Sequence, residues 1–415
     1  MIRSRGLRLR PSVRAGVVAL DLAYMGINFS ALTLFSILAP FIMRVTEVSS
    51  STIQWGAIAY SAGIFLAFFV GHSKFSERRP AATVLMAAAL ASIPQFAIPA
   101  VPNMPYCWRA STLIGLRLMQ GLVMMAVPIL SGQVGKLFSS ARPFALGVIL
   151  SGIFVGGFIG SSLGPALTSM VGWRLTYVIF GLMMLTIGGA WVALTPRDTL
   201  PVSEGSVKEV PASRVWKEPF TWVWGFTFFP AIWIIFTLAP LISFIVEAEA
   251  PQAGTEASRV LEASYMFWSV VMGLVAYLVA KSSSGSRRGL FRSFASVQAF
   301  CFAASLAGAL MLYLSKSLQT LMWSLILIGV IQGTAPTFWS MQSTAYRKEE
   351  VTKAGYALGL LANSAALIGP SLTLTLTPPG SPYLWVLVIG LAAAGLIITA
   401  ASLKMKLPAE KVEIG

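Results

Sequence analysis

Charged side chains are scarce in this chain. Only 11% of its 415 residues are charged and 56% are hydrophobic, whereas a soluble domain carries roughly 25% charged residues. There is one histidine, His72, and no spacing of cysteine and histidine that would hold a metal ion. The composition excludes an ordinary soluble domain, and we expect neither a metal nor another cofactor.

Three further features are missing. The two cysteines, Cys107 and Cys301, fall near an expected outer loop and inside an expected membrane span, so we predict no disulfide between them. No phosphate-binding loop of the form G-x-x-x-x-G-K-[ST] is present, which argues against coupling to ATP. No small-residue cleavage site follows the basic N-terminus, so we expect a retained first span there and not a cleaved signal peptide.

The hydrophobic residues are gathered in long stretches. A bilayer core of about 30 Å takes about 20 helical residues to cross, and the chain offers twelve stretches of about that length or more. We therefore predict an all-α membrane protein with twelve transmembrane helices. Their approximate bounds are 15–43, 52–70, 80–100, 110–134, 143–171, 174–194, 219–246, 262–280, 292–314, 318–345, 353–377 and 382–403.

The basic residues crowd into alternate connections between these spans. Of the 30 Lys and Arg residues, 24 lie in the two tails and the even-numbered connections, and five lie in the odd-numbered connections. Because short cytoplasmic loops are enriched in Lys and Arg, both termini are predicted to be cytoplasmic, in the plasma or inner membrane of the cell. The net charge of +15 is scattered over short loops, which favours anionic lipid and not nucleic acid as its partner.

The chain divides into two similar parts. Segment 195–218 is rich in proline, serine and charge, and we predict a flexible cytoplasmic linker between six-helix bundles at 1–194 and 219–415. Short sequences recur in the same order in both bundles, which favours parallel six-span repeats. The matches are Phe144–Gly147 with Tyr356–Gly359, Gln120-Gly121 with Gln332-Gly333, and Gly164-Pro165 with Gly369-Pro370.

Motifs in spans 4 to 6 carry a family resemblance. They are R-x-x-Q-G at Arg117–Gly121, a glycine-rich G-P motif at Gly156, Gly160, Gly164 and Pro165, and G-W-R at Gly172–Arg174. Their order and spacing resemble the major facilitator superfamily, and the G-P motif is similar to that of its drug–proton antiporter branch. The resemblance extends over the whole chain and implies two bundles that rock about a central substrate site.

Two parts of the sequence depart from the family pattern. The connection between spans 2 and 3 typically reads G-x-x-x-D-R-x-G-R-K; here Gly71 and Arg79 match, but Phe75 replaces the acid and Arg78 the second glycine. In the family that acid helps to close the cytoplasmic side, and Glu77, two residues later, is the candidate to replace it. The G-P motif lacks its usual trailing glycine pair, so the direction of transport stays open.

Arg117 is the one basic residue inside an expected span. A central arginine costs about 2.5–3.5 kcal/mol on insertion scales, so an intramembrane charge indicates a functional site. By helix rise it lies roughly 8 Å outward of the middle of span 4. Two interpretations stay open: an anion-binding or proton-linkage residue, or a structural residue that ties span 4 to carbonyl groups or to span 1.

Asp21 is the only carboxylate well inside an expected span. Helix rise places it about 12 Å to the cytoplasmic side of the middle of span 1, and thus roughly 20 Å from Arg117 along the membrane normal. We therefore expect no ion pair between them, and Asn28 matches the depth of Arg117 better. Asp21 is either a proton-coupling residue or an acid stabilised by a nearby helix N-terminus.

Amide and aromatic side chains complete the candidate site. Asn28 and Gln120 in the first bundle, with Gln332, Trp339 and Asn363 in the second, are predicted to line a moderately polar cavity near the midplane. For each amide the alternative is an interhelical hydrogen bond, worth about 0.6 kcal/mol on average. A stripe in span 7 forms either a cavity wall or a lipid-facing belt; its members are Trp222, Phe226, Phe229, Trp233 and Phe236.

These observations predict a secondary active transporter that moves a small organic molecule by alternating access. Protons are expected to drive it through Asp21, or through an acid nearer a span end such as Glu247 or Glu262. Alternatives are an organic-anion exchanger or facilitator that uses Arg117, and a transport-inactive sensor with the same fold. An intramembrane enzyme is disfavoured, because no histidine and one clear carboxylate lie at membrane depth. We expect a monomer.

Overall fold

Helices make up nearly all of the described chain. The structure, a computed structural model, describes residues 10–71, 73–138, 141–201, 212–249, 253–282, 286–314, 317–376 and 383–409. Within these residues, twelve segments are long and apolar enough to cross a membrane, which confirms the predicted all-α architecture. Spans 1 to 12 are Pro11–Ile37, Ser50–Gly71, Pro80–Asn103, Tyr106–Leu137, Arg142–Val171, Trp173–Leu194, Pro219–Ala239, Glu256–Ser282, Arg287–Leu314, Leu318–Ala345, Val351–Thr373 and Tyr383–Ser402.

Several spans are interrupted. Span 1 consists of helices Pro11–Phe29 and Ala31–Ile37, followed by Ala39–Thr46, and span 3 ends in the 3₁₀ turn Ile98–Asn103. Span 7 consists of Pro219–Thr227 and Phe229–Glu249, while the helices of spans 8 and 11 extend over Gly254–Ser282 and Val351–Leu376. Such breaks leave backbone groups free at membrane depth, which is tolerated where neighbouring helices cover them.

Spans 4 and 10 share one irregularity. Each is divided into three helical pieces by a short 3₁₀ segment, which directly follows the repeated Gln-Gly pair in span 4 and contains that pair in span 10. A 3₁₀ stretch inside a helix often marks a hinge or strain, and its recurrence in both bundles agrees with the sequence repeat. The pieces are Tyr106–Gly121, Leu122–Ala126 and Val127–Leu137 in span 4, and Leu318–Gly329, Val330–Gly333 and Thr334–Ala345 in span 10.

Both described ends of segment 195–218 are attached to the helices. Residues 202–211 lie outside the described part of the chain. Before them, the 3₁₀ turn Arg197–Thr199 contacts span 4, where Gln133 Nε2 donates a hydrogen bond to Thr199 Oγ1 at 2.7 Å. After them, helix Ala212–Lys217 is linked to the connection between spans 10 and 11 by an ion pair of Arg214 with Glu350 at 3.2 Å.

Span 5 packs against span 1 through glycines. A Cβ atom at Gly156 would collide with the carbonyl oxygen of Gly26 and lie 2.8 Å from the backbone nitrogen of Ser30. A Cβ atom at Gly160 would lie 2.5 Å from the carbonyl oxygen of Ser30. Small residues let the backbones of membrane helices approach closely, so these glycines set the distance between the two spans.

The two Gly-Pro pairs occupy similar places late in their helices. Gly164 is buried against Leu34 of span 1, and Gly369 is buried against the Trp233 ring of span 7. The prolines that follow both lie inside continuous helices, Arg142–Val171 and Val351–Leu376. Proline removes one helical hydrogen bond and is a common cause of bending. The role of both pairs in conformational change stays a prediction.

Substitution of Gly156 by Val tests the contact between spans 1 and 5. We expect a lower apparent melting temperature in detergent, because overpacking costs about 1–3 kcal/mol and here the new side chain meets backbone. Gly189→Val in span 6 is the matched control, since a Cβ atom there has no neighbour within 4 Å. Equal melting temperatures for the two variants would contradict the described packing.

Candidate functional site

A small cavity lies between the two groups of six spans, which we call the N-terminal half (spans 1 to 6) and the C-terminal half (spans 7 to 12). Its volume is about 30 Å³, enough for about two water molecules. Most of its surface is apolar. It is lined by Met124, Val127, Leu150, Ile153, Phe154, Phe228, Ile232, Ile235, Phe236, Ala239, Gln332, Ala335, Trp339 and Asn363.

The predicted cavity residues line the cavity in only one of the two halves. Gln332, Trp339 and Asn363 of the C-terminal half line the cavity, whereas Asn28 and Gln120 of the N-terminal half are not part of its lining. The Trp339 ring stacks on Phe68 of span 2, with centroids 5.9 Å apart. Trp339 therefore joins the two halves at one edge of the cavity. Substrate binding by these residues stays a prediction.

Two buried asparagines have the same local geometry. Asn28 Nδ2 donates to the carbonyl oxygen of Tyr24 at 2.9 Å, and Asn363 Nδ2 donates to that of Gly359 at 2.8 Å. In each case Oδ1 is buried and has no partner among the described residues. A buried acceptor without a donor is costly. Because Asn363 is also on the cavity wall, its oxygen is available to a hydrogen-bond donor of a bound molecule.

Arg117 is buried inside the N-terminal half. Its Nη1 donates to the carbonyl oxygen of Ala31 at 2.9 Å and to Gln120 Oε1 at 2.6 Å. The guanidinium lies between the rings of Phe35 and Tyr60, at 4.4 and 4.7 Å from their centroids. Such cation–π contacts stabilise a desolvated arginine. These contacts tie span 4 to span 1, and Arg117 is not part of the cavity wall.

Asp21 has different partners from Arg117. It is fully buried, and its Oδ1 accepts a hydrogen bond from Trp191 Nε1 of span 6 at 2.6 Å. Its Oδ2 has no hydrogen-bond partner among the described residues. Since burial of an unpaired carboxylate is expensive, the protonated form of Asp21 is the one that this site accommodates. A coupling role is chemically consistent with this environment and stays a prediction.

The aromatic stripe of span 7 does not form one wall. Trp222 and Phe226 are exposed at the surface of the bundle, and Trp222 Nε1 donates to the carbonyl oxygen of Trp216. Trp233 Nε1 is buried and donates to Thr373 Oγ1 at 2.9 Å. Of the five stripe residues, Phe236 is the one that lines the cavity. The surface position fits the lipid-facing interpretation for the first two residues.

The two halves meet closely at the end that the charge distribution predicts to be cytoplasmic, the inner end. Arg142, at the start of span 5, donates to Thr344 Oγ1 at 3.3 Å and to the carbonyl oxygen of Ser340 at 3.4 Å, both in span 10. Ser131 Oγ donates to Gln342 Oε1 at 2.9 Å. We call these residues the inner contact. The inner contact crosses between the halves and holds them together at this end.

The span 2–3 connection begins at Gly71, which contacts the C-terminal half. Gly71 is buried against the ring of Tyr356, which also crosses between the halves by donating to the carbonyl oxygen of Met125 at 3.2 Å. Arg79 is exposed at the start of span 3. Glu77 lies in the short helix Lys74–Arg78, but its side chain, like His72 and the side chain of Glu247, lies outside the described part of the structure. Its latch role stays a prediction.

Three of these residues are not predicted by the sequence analysis. Arg142 counts there as one more basic residue of an expected cytoplasmic connection, and the one available signal is its position just before the repeated segment Phe144–Gly147. Phe35 and Tyr60 flank Arg117 from spans 1 and 2, and each is an ordinary aromatic residue of an apolar span. Their role depends on how the spans pack.

A cysteine pair at Gly135 and Ser343 tests the inner contact. A Cβ atom at Gly135 would lie 3.3 Å from Ser343 Cβ, close to the usual Cβ separation of a disulfide, about 3.5–4.5 Å. In a Cys107→Ser background we expect rapid disulfide formation under mild oxidation, detected by a gel shift after mass-tagging of free thiols. Adding Arg142→Ala should slow it, because the halves lose the guanidinium contacts. The pair Gly115→Cys with Ser343→Cys is the control, since a Cβ atom at Gly115 would have no neighbour within 4 Å. If the control pair formed a disulfide at the same rate, the described contact would be contradicted.

Comparisons with known proteins agree with this architecture. No curated protein sequence matches the chain. Its fold matches the human organic anion transporter MFSD10 (TETRAN), with TM-score 0.67, 14% identity and coverage of 94% of this chain and 100% of that one. It also matches the proton:xylose symporter XylE bound to 6-bromo-6-deoxy-D-glucose, with TM-score 0.71, 11% identity and coverage of 95% and 97%. The model of the family described as Major Facilitator Superfamily matches residues 21–370. The chain belongs to the major facilitator superfamily of membrane transporters.

Proposed function

We propose that this chain is a proton-coupled secondary active transporter for a small organic molecule. The observation that carries the proposal is the cavity lined by both halves, which are also in contact with each other at the inner end. Transport by alternating access needs such a site, which is exposed to one side at a time as the halves rock. The moving units are residues 1–194 and 219–415, joined by segment 195–218.

The cavity wall favours a partly apolar substrate. Phe154, Phe228, Phe236 and Trp339 provide aromatic surface, and the polar groups are few. The Asn363 oxygen has no donor among the described residues, so a hydrogen-bond donor on the substrate would satisfy it. An amphipathic molecule with a planar or apolar part fits this surface better than a multiply charged cation, which would require carboxylates.

Asp21 is the residue proposed to carry the proton. The Trp191 hydrogen bond holds its carboxyl within the N-terminal half, and the second oxygen is free to carry hydrogen. A carboxyl that is neutral when buried and charged when hydrated binds or releases a proton as the halves move. The resemblance of the G-P motif supports the drug–proton antiporter branch.

An organic-anion exchanger or facilitator is the second candidate. The observation that favours it is Arg117, a buried cation with no carboxylate ion partner among the described residues. MFSD10, one of the similar structures, is named as an organic anion transporter. Against this candidate, Arg117 does not reach the cavity, so an anion would have to displace Ala31 or Gln120 from the guanidinium.

The membrane setting follows from the charge distribution. We propose a monomer in the plasma or inner membrane with both termini in the cytoplasm. The conformational role of Gly71, Glu77, Arg79 and of the Gly-Pro pairs belongs to the same proposal.

Asp21→Asn in proteoliposomes tests proton coupling. With a substrate found by ligand screening, we expect the flux driven by a pH gradient to be at least tenfold lower in the variant than in the wild type, because the amide cannot exchange a proton. Exchange of labelled for unlabelled substrate at equal pH should persist. Asp198→Asn is the control, since Asp198 is exposed in the connection after span 6. Full pH-driven flux in Asp21→Asn would refute the assignment, and absence of any wild-type flux would leave the sensor as the better account.

Thermal-shift measurements separate the two candidate functions. A panel of organic anions, cations and uncharged aromatic amphiphiles is tested on wild type, Asn363→Leu and Arg117→Gln, and the ligand-induced shift is compared within each variant. We expect ligands that stabilise the wild type to lose at least half of their shift in Asn363→Leu and to keep it in Arg117→Gln, because only Asn363 lines the cavity. The reverse pattern with anionic ligands would favour the exchanger or facilitator.

A further inference from the structure

Glu262 lies in the seam between span 8 of the C-terminal half and span 5 of the N-terminal half. Its side chain is 3% exposed. Gly157 of span 5 makes room for it: a Cβ atom at that position would lie 3.3 Å from Glu262 Oε1. By helix rise Glu262 is roughly 10 Å from the middle of span 8, on the predicted outer side. A titratable side chain therefore fills the contact surface of the two halves.

The same seam continues toward the inner end without charged residues. The rings of Phe154 and Tyr265 meet with centroids 4.8 Å apart. Further along, Ser269 Oγ donates to the carbonyl oxygen of Gly147 at 3.0 Å. The two spans are thus in contact over several turns, and Glu262 is the acidic residue of the described seam.

Few hydrogen-bond donors reach the Glu262 carboxyl. The Ser161 hydroxyl faces it from span 5, but this hydroxyl has one proton and also lies 3.1 Å from the carbonyl oxygen of Phe158, to which it donates. Thr33 of span 1 uses its hydroxyl proton on the carbonyl oxygen of Gly157 at 2.8 Å. Glu262 Oε2 has no hydrogen-bond partner among the described residues.

Few other titratable groups reach this position. Arg259, one turn away on the same helix, is exposed, and it acts on Glu262 from a distance without forming an ion pair among the described residues. Tyr265, on the same helix, carries a buried hydroxyl. Spans 1 and 5 contribute Thr33, Gly157 and Ser161, none of which titrates. Among the described residues no basic side chain forms an ion pair with Glu262, and Arg259 attracts its carboxylate only from a distance.

A charged Glu262 would have to be hydrated. An ionised carboxylate without donors is much more costly in an apolar contact than its protonated form. Because Glu262 is 3% exposed in the closed seam, water hydrates the carboxylate fully only if spans 5 and 8 separate at their outer part. The charge on Glu262 thus acts directly on the distance between the halves.

We propose that Glu262 is the proton-binding residue of an outer gate: protonation lets spans 5 and 8 close at their outer part, and release of the proton to water parts them. The step breaks one O–H bond of the carboxyl, leaves a carboxylate and transfers the proton to bulk water. The inference rests on the proposed transporter function and adds a second proton site beside Asp21. It assigns to Glu262 a contact between the halves, whereas Asp21 lies within one of them.

Pulsed electron paramagnetic resonance between two spin labels tests the gate without substrate. The labels are placed by Met170→Cys, at the exposed outer end of span 5, and Leu314→Cys, at the exposed outer end of span 9. The background carries Cys107→Ser, and the buried Cys301 is kept. In lipid nanodiscs we expect one short distance at pH 5 and a second population, several ångströms longer, at pH 9.

The variants make the assignment specific. Glu262→Gln should keep the short distance at both pH values, because the amide stays neutral. Glu256→Gln, an exposed residue at the start of the same helix, should behave like the wild type. If Glu262→Gln fails to fold, Glu262→Met takes its place, because this side chain is of similar size and cannot ionise, and the same short distance at both pH values is expected.

Three outcomes would overturn the proposal: no change of distance in the wild type between pH 5 and pH 9, an unchanged transition in Glu262→Gln, or closure at pH 9 on replacing choline chloride by sodium chloride. The last result would assign the site to sodium. Failure of the gate is distinguishable from failure of the proposed function. Proton-driven flux with an inert Glu262 refutes only the gate, and a working gate without proton-driven flux refutes only the coupling.

Discussion

Span 5 approaches the backbones of two neighbouring helices closely, and the packing of both halves is organised around it. One face of this helix, at Gly156 and Gly160, admits the backbone of span 1. Another face, at Gly147 and Gly157, admits span 8 of the opposite half. In lipid there is little hydrophobic drive between apolar helices, so packing at short distance and interhelical hydrogen bonds must hold them together. Span 5 therefore belongs to the packing of the N-terminal half and also to its contact with the C-terminal half.

The buried polar residues are satisfied in two distinct ways. Arg117 is held by a carbonyl group, an amide and two aromatic rings, all within its own half. Asp21 and Asn363 each keep an oxygen without a described donor. Arg117 Nε is also buried without a described acceptor, but the other contacts of the guanidinium favour a fixed structural position. The free oxygens of Asp21 and Asn363 would gain stability from a proton, a hydrogen-bond donor or water.

The twelve spans could be predicted from the sequence, because bilayer thickness fixes the length of the apolar helices. Gln332, Trp339 and Asn363 could also be predicted as cavity residues from their depth and shared helix faces. The separation of Arg117 from the cavity could not, because it depends on how Ala31 and Phe35 of span 1 pack against span 4. The role of Arg142 could not be predicted, because a basic residue near a cytoplasmic loop is expected in any case. Its partners also lie some 200 residues away in the chain.

The partners of Arg142 set a physical property of the inner contact. The guanidinium is bound by a carbonyl oxygen and a hydroxyl group from span 10, and by the carbonyl oxygen of Gly135 in its own half. An ion pair weakens as counterions screen it and as its acid is protonated. Neutral oxygen acceptors carry no net charge for ions to screen and do not titrate, so these hydrogen bonds depend little on ionic strength and pH. The Arg142 link between the halves therefore keeps nearly the same strength when the ion concentration or pH of the surrounding solution changes.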